Sequence, residues 1–160
     1  MDVPEIRGSL EEIAVQKAKF SYKQVKIPLL VMDAGFFIHS LKGFPMMFTN
    51  FALQTIGLSG LLKLTEGKNK RCEFKEVLCY YKNPHTKPKL FVRSVPGTLS
   101  DKPKGKLKAY HWSELARIFI PNNETETMAE MTKDKFSLFR DRVNRNSHWE
   151  QFGRYYSKRV

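Results

Sequence analysis

The sequence predicts an α+β fold: an antiparallel sheet with a central helix and a C-terminal helix packed on it. Three observations support this class. The chain has 160 residues, of which 41% are hydrophobic, enough for a buried core. Alternating apolar residues mark several strands in the middle of the chain, and stretches with a helical period lie on either side of them. Strands and helices that are segregated in this way are typical of an α+β fold.

A domain boundary is predicted near residue 16. Residues 1–16 are expected to form an N-terminal arm, and residues 17–160 a single α+β domain. In the arm, Ser9 and Glu12 have the spacing of a capping box, which predicts a short helix. Arms of this kind often tie a protein to a partner, but a disordered terminus is the commoner outcome. The candidate residues for self-association are Val3, Ile6 and Leu10.

The segment after the arm has the pattern of a strand. From residue 17 to residue 38, loosely alternating and then continuous apolar residues predict one long strand, or two joined by a bulge near Asp33. The run from Asp33 to Gly35 resembles the Asp-Thr/Ser-Gly corner of aspartic proteases. Ala34 replaces the hydroxyl residue of that corner and no second motif occurs, so a bulge or turn is favoured.

The next segment contains no charge from Gly43 to Leu62, which is 20 residues. This length could cross a bilayer, which needs about 20 predominantly apolar residues. Thr49, Asn50 and Gln54 punctuate the stretch, however, and its apolar residues fall on one broad face. We therefore favour a central core helix over a membrane span.

The remaining elements alternate between strands and a late helix. Residues 71–82 and 90–95 predict a hairpin, and residues 106–120 predict further strand structure. Capping-box spacings at Asn123 and Thr127 predict a helix that begins there and runs to about residue 146.

Catalytic and metal-binding patterns were not found in the sequence. The four histidines are scattered, and no P-loop, GxSxG, HExxH or GxGxxG pattern occurs. Cys72 and Cys79 match no zinc or redox spacing, so both are expected to be reduced, partly buried thiols. We therefore expect no enzyme activity, no cofactor and no metal site.

Positive charge is concentrated in the middle of the chain. The net charge is +12, and residues 63–112 carry 13 basic against 4 acidic side chains. The electrostatic field of so many positive charges attracts polyanions, either the phosphates of a nucleic acid or an anionic membrane surface. The alternative is a set of solvated charges that protects a sheet edge from aggregation. The predicted polyanion-binding residues are Lys68, Lys70, Arg71, Lys87, Lys89, Lys102, Lys104, Lys106 and Lys108.

Arginines near the C-terminus raise the question of a nucleic-acid-binding helix. Phe136, Phe139 and Val143 recur at helical spacing, while Arg142 and Arg145 point away from their face. The spacing favours a helix that packs its aromatic residues on the core and leaves its arginines in water.

The same stretch suggests a family. Residues 135–142 read KFSLFRDR, which is similar to a Lys-Phe-Ser-x-Phe-Arg phrase near the C-terminus of vesiculovirus matrix proteins. The expected order of strands and helices also resembles that family. The PPxY budding motif of the family does not occur in this sequence, and the arm is short and acidic. A divergent rhabdovirus matrix protein, such as those of plant rhabdoviruses, fits better.

This resemblance implies a structural role without catalysis. The protein would self-associate as a homo-oligomer, condense the viral nucleocapsid and its RNA, and bridge it to the anionic inner face of the membrane during budding. It would be found in the virion, in the host cytoplasm and at the membrane periphery, with the host nucleus as a further site. The alternative is a basic RNA-binding protein of the ribosomal or silencing-suppressor type, without a membrane role.

Overall fold

The computed structural model describes residues 8–158. Within that part of the chain, five α-helices and a five-stranded antiparallel sheet confirm the predicted α+β class. In chain order, the elements are α1 (Leu10–Val25), β1 (Leu29–Ile38), β2 (Pro45–Met46), α2 (Thr49–Thr55), α3 (Gly57–Leu64), β3 (Arg71–Tyr81), β4 (Lys89–Leu99), β5 (Phe119–Pro121), α4 (Lys133–Asn144) and α5 (His148–Ser157). The strands lie in the order β2-β1-β3-β4-β5.

The chain divides into two compact units. The described residues of unit 1 are 8–34, 75–93 and 146–158. Unit 2 comprises Gly35–Phe74 and Ser94–Arg145. Each unit has its own set of buried side chains.

Helix α1 begins unit 1 and replaces the predicted strand over residues 17–26. The Glu12 N–H donates to the Ser9 hydroxyl at 3.2 Å, and the Glu12 carboxylate accepts from the Ser9 N–H at 2.8 Å, which completes the expected capping box. The helix then continues to Val25, well past the expected end, because Ile13, Ala14 and Ala18 keep a helical period and are buried. The strand prediction was wrong because Ala18 belongs to this series of buried residues with helical spacing. It does not belong to the alternation of every second residue that marks a strand.

Helix α5 is the last element of unit 1. Ser147 caps it by accepting the Glu150 N–H at 3.3 Å. The Gln151 side-chain amide donates to the Val92 carbonyl at 3.1 Å, and this bond fixes the helix to β4. His148, at the first position of the helix, is 2% exposed.

Unit 2 has an aromatic core. The Phe36 ring lies 4.8 Å from Phe74 and 6.0 Å from Phe119, centroid to centroid. Helix α4 adds Phe136 and Phe139, each 2% exposed, which confirms that the KFSLFRDR stretch is a packing helix. Its arginines face solvent, as expected.

The uncharged stretch in unit 2 does not form one helix. Gly57, the first residue of α3, has a left-handed backbone with φ of 64°, which interrupts the helix between α2 and α3. Pro45 and Met46, at the start of the stretch, pair with Phe37 and Phe36 as strand β2. Among the described residues, every helix is too short or too polar to span a membrane.

The late helix begins ten residues after Asn123, where it was expected to start. Thr132 is its N-cap and accepts the Lys135 N–H at 3.3 Å. The Thr127–Glu130 pair does form, with the Thr127 N–H donating to the carboxylate at 2.9 Å, but it closes a turn and not a helix. Capping-box spacing alone does not distinguish a helix start from such a turn.

The strands of the second half also differ from expectation. β4 extends to Leu99, four residues further than predicted. Residues 106–110 do not form a strand, and Glu114–Arg117 is a short 3₁₀ helix that precedes β5.

Candidate functional site

Unit 1 contains a groove, named the tyrosine–lysine groove, with a cavity volume of about 690 Å³. This volume lies within the usual range for small-molecule sites, which is about 300–1,000 Å³. Among its described lining residues, three are lysines, three are tyrosines and none is acidic. The lining residues are Pro28, Tyr80, Lys82, Thr86, Lys87, Pro88, Lys89, Tyr155 and Tyr156.

The tyrosines of the groove are held by other aromatic rings. Tyr80 lies at the end of β3, and its ring is 5.5 Å from Phe152 and 6.1 Å from Tyr156. The buried Phe91 ring of β4 is 5.5 Å from Tyr155 and 5.8 Å from Phe152. Edge and tilted contacts at these distances stabilise aromatic pairs, so this wall is ordered before any ligand arrives.

The lysines of the groove lie on and beside the turn between β3 and β4. The Lys89 ammonium lies over the Tyr155 ring, 5.6 Å from its centroid. The turn itself is fixed by Asn83, whose side chain accepts the His85 N–H at 3.0 Å and whose carbonyl accepts the Thr86 N–H at 3.2 Å.

The structure places the predicted polyanion residues in both units. Lys87 and Lys89 line the groove in unit 1, together with Lys82, which the sequence analysis did not single out. Lys82 lies at the end of a predicted strand and next to an aromatic residue, and this position was the feature of the sequence that could have identified it. The other seven residues lie in unit 2: Lys68, Lys70, Arg71, Lys102, Lys104, Lys106 and Lys108.

The lysine-rich segment 102–108 of unit 2 is attached to its surroundings. The Lys104 N–H donates to the Arg117 carbonyl at 2.8 Å. The Lys108 ammonium donates to the Met131 carbonyl at 3.0 Å, so this lysine supports the fold. Lys70 forms an ion pair with Asp101, which offsets one positive charge nearby.

The candidate self-association residues do not form a described surface that could contact a second subunit. Leu10 is 1% exposed and packs inside unit 1, so it offers no surface to a second subunit. Val3 and Ile6 lie outside the described residues.

Asp33 is a carboxylate that the fold holds in one position. It lies in β1 with its side chain 11% exposed, and the Lys17 ammonium of α1 donates to it at 2.6 Å. The Ala34 N–H donates to its other oxygen at 3.1 Å. The Asp33 carboxylate and the Lys17 ammonium therefore lie side by side in unit 1.

A second ionic cluster in unit 1 is largely buried. The Arg93 guanidinium donates to Glu76 at 2.6 Å, and the His148 Nδ1 lies 3.5 Å from the same carboxylate. Burial of the imidazole lowers the pKa of His148, and the charge of Arg93 lowers it further, while Glu76 opposes them.

Both cysteines are more buried than expected. Burial raises the pKa of the Cys79 thiol to about 11, and it also raises the pKa of Cys72. Thiols of this kind are poor nucleophiles. Within residues 8–158, His, Cys, Asp and Glu side chains form no group of three or more that could hold a metal ion.

Comparison with known proteins assigns the family. A sequence profile of the Ham1 family matches residues 1–144, which is most of the chain. The chain belongs to the Ham1 family.

Named relatives of this Ham1 chain are pyrophosphatases. It is 33% identical to a dITP/XTP pyrophosphatase of Methanopyrus kandleri over an alignment of 163 positions, which covers 100% of this chain and 82% of the relative. It is also 33% identical to an inosine triphosphate pyrophosphatase of Emericella nidulans over 138 residues, covering 84% of this chain and 70% of the relative.

Solved structures agree on the fold. The nucleoside-triphosphatase (dITP/XTP pyrophosphatase) of Mycobacterium abscessus superposes with a TM-score of 0.76 at 19% identity, covering 90% of this Ham1 chain and 77% of that one. At this identity, the likeness concerns the fold alone.

Membership in the Ham1 family corrects the viral interpretation. The prediction of a rhabdovirus matrix protein was wrong, as were the nucleocapsid and membrane partners and the virion location. The homo-oligomer stays a prediction. The RNA-binding alternative is likewise unsupported. The expectation of no enzyme activity was also wrong, because the family's named members are enzymes of cellular organisms.

The KFSLFRDR match has a simple physical origin. Its buried residues, Phe136 and Phe139, are three residues apart because they pack on the core, and its arginines, Arg140 and Arg142, lie on the exposed side. Any amphipathic helix has this pattern, so eight residues of it do not identify a family.

Proposed function

We propose that this chain is a nucleoside triphosphate pyrophosphatase acting on the non-standard purine nucleotides dITP and XTP. The observation that carries the proposal is the alignment with the Methanopyrus kandleri pyrophosphatase, which extends over the whole chain at 33% identity. In this reaction, a water oxygen bonds to the α-phosphorus while the bond from that phosphorus to the α,β-bridging oxygen breaks. Pyrophosphate leaves, and the nucleoside monophosphate remains.

This hydrolysis needs a group that takes a proton from water and positive charge near the phosphates. The Asp33–Lys17 pair supplies a carboxylate and an ammonium 2.6 Å apart. We assign Asp33 as the candidate general base and Lys17 as its positioning partner. Glu76 is less suited to this role, because its oxygens face Arg93 and the buried His148.

The experiment measures product formation by the purified 160-residue chain. dITP and XTP are supplied as magnesium complexes, since Mg²⁺ is commonly bound through substrate phosphates, and dATP and dGTP serve as comparison substrates. Pyrophosphate and the monophosphate are quantified separately. We expect equal amounts of the two products from dITP and XTP, and much less from dATP and dGTP.

The Asp33→Asn variant tests the assignment of the base. Losing a general base typically reduces the rate by about 10²–10⁴-fold, so we expect a loss in this range with an unchanged circular dichroism spectrum. The control is Lys23→Gln, which alters an exposed lysine of the same helix α1 that holds Lys17.

Two results would contradict the proposal. One is binding of dITP with no pyrophosphate release above the blank. The other is release of orthophosphate in place of pyrophosphate. Full activity in Asp33→Asn would leave the reaction in place and refute only the assignment of its base.

A further inference from the structure

The tyrosine–lysine groove has unbalanced positive charge. Some other cations of unit 1 are paired with carboxylates: Lys17 is paired with Asp33, and Lys75 with Glu11. Among the described residues, the ion pairs involve neither Lys82 nor Lys87 nor Lys89. Three ammonium groups around one cavity without a carboxylate in its described lining favour a ligand with several negative charges.

The tyrosines of the groove favour a flat ring. Tyr156 is 47% exposed, and its ring packs at 5.5 Å on Phe152, which fixes its orientation. Tyr80 and Tyr155 continue this wall. A purine or pyrimidine base stacks well on ordered aromatic side chains, because every base has a π-face.

The two walls meet because of two separate attachments. The turn that follows Tyr81 is closed by Asn83, which places Lys87 beside the cavity. Helix α5 is bonded to β4 through Gln151, which places Tyr155 and Tyr156 at the same cavity. Both walls belong to unit 1.

We propose that the tyrosine–lysine groove is a nucleotide-binding site separate from the hydrolytic Asp33. The ligand class is a nucleoside diphosphate or triphosphate, whose phosphates contact Lys82, Lys87 and Lys89 and whose base stacks on Tyr156. Lysine is suited to such phosphates, since its ammonium is a compact charge on a flexible stem. This site goes beyond the proposed pyrophosphatase activity and does not depend on it.

Calorimetry with ADP tests the proposal, because ADP carries a base and two phosphates but is not a triphosphate substrate. The groove variant is Lys87→Glu/Lys89→Glu. The control is Lys23→Glu/Lys63→Glu, which makes the same change in net charge at exposed positions outside the groove. Each lost charge-assisted contact typically weakens binding by about tenfold, so we expect about 100-fold weaker binding in the groove variant and little change in the control.

The Tyr156→Leu variant tests the base-stacking wall. It keeps an apolar side chain at a half-exposed position, so the fold is expected to remain. Stacking on one aromatic ring corresponds to about a 5- to 150-fold change in binding of ADP. Pyrophosphate, which lacks a base, should bind less tightly than ADP to the wild type and equally to wild type and Tyr156→Leu.

Three outcomes would overturn the proposal. The first is equal binding of ADP by the wild type and the groove variant. The second is an equal loss in the control variant, which would show a diffuse electrostatic effect. The third is loss of dITP turnover in the groove variant, which would make the groove part of the substrate site. If the wild type hydrolyses no triphosphate at all, the ADP result still decides whether the groove binds nucleotides.

Discussion

Replacing Phe139 with alanine tests the central packing argument, in which the KFSLFRDR helix is part of the core of unit 2. Phe139 is 2% exposed, its ring centroid lies 6.0 Å from Phe136 and 6.1 Å from Trp112, and the Arg142 guanidinium covers it at 5.8 Å. A buried aromatic side chain removes about 150–250 Å² from water, at about 25 cal/mol per Å². That product, about 4–6 kcal/mol, is an upper value, and measured Phe→Ala losses are about 3–5 kcal/mol.

We therefore expect Phe139→Ala to lower the free energy of unfolding by about 3–5 kcal/mol. The measurement is urea denaturation, followed by tryptophan fluorescence and circular dichroism. Leu138→Ala is the matched control: the neighbouring side chain is 72% exposed, so a change within about 0.5 kcal/mol is expected. A loss below about 1 kcal/mol for Phe139→Ala, or an equal loss for both variants, would refute the packing argument.

Two further predictions concern stability. Because burial lowers the pKa of His148 from 6.5, the folded state binds fewer protons than the unfolded state, and the free energy of unfolding should fall as the pH drops below 6.5. Denaturation at about pH 7.5 and about pH 5.5 should show a smaller difference for His148→Gln than for the wild type, and an unchanged difference would rule out the buried imidazole as the cause. Gly105 has φ of 72°, and an added Cβ would lie 2.4 Å from the backbone carbon of Ala129, so Gly105→Ala should cost at least about 1–3 kcal/mol. Gly153→Ala is its control, since a Cβ there meets no atom within 4 Å, and equal effects of the two glycine variants would show that the strain is not local.

The sequence was sufficient for the fold class because strands such as β3 and the hairpin with β4 have clear alternation. It was insufficient for α1, where lysines between apolar residues fit both a helix and a strand until burial of Ala18 decides between them. It was also insufficient for the uncharged stretch. Glycine can adopt the left-handed backbone seen at Gly57, but the surrounding tertiary structure determines whether it does so.

The candidate groove was partly visible in the sequence. Lys87 and Lys89 were identified from local charge, which needs no knowledge of the fold. The tyrosine wall was not, because Tyr80 and Tyr155 come from distant parts of the chain and meet only when α5 packs on the sheet. Asp33 was noted for its neighbours in sequence, but its pairing with Lys17 depends on α1 continuing past residue 16.

The attachment of the lysine-rich segment 102–108 has a consequence for proteolysis. Trypsin cleaves after lysine, so an extended segment of this composition would be the first place to be cut. In this fold the backbone of Lys104 is bonded to Arg117, and the side chain of Lys108 to Met131, so a protease can bind the segment only after it detaches. Cleavage at these lysines would therefore report how often this part of unit 2 opens, and not simply how exposed its side chains are.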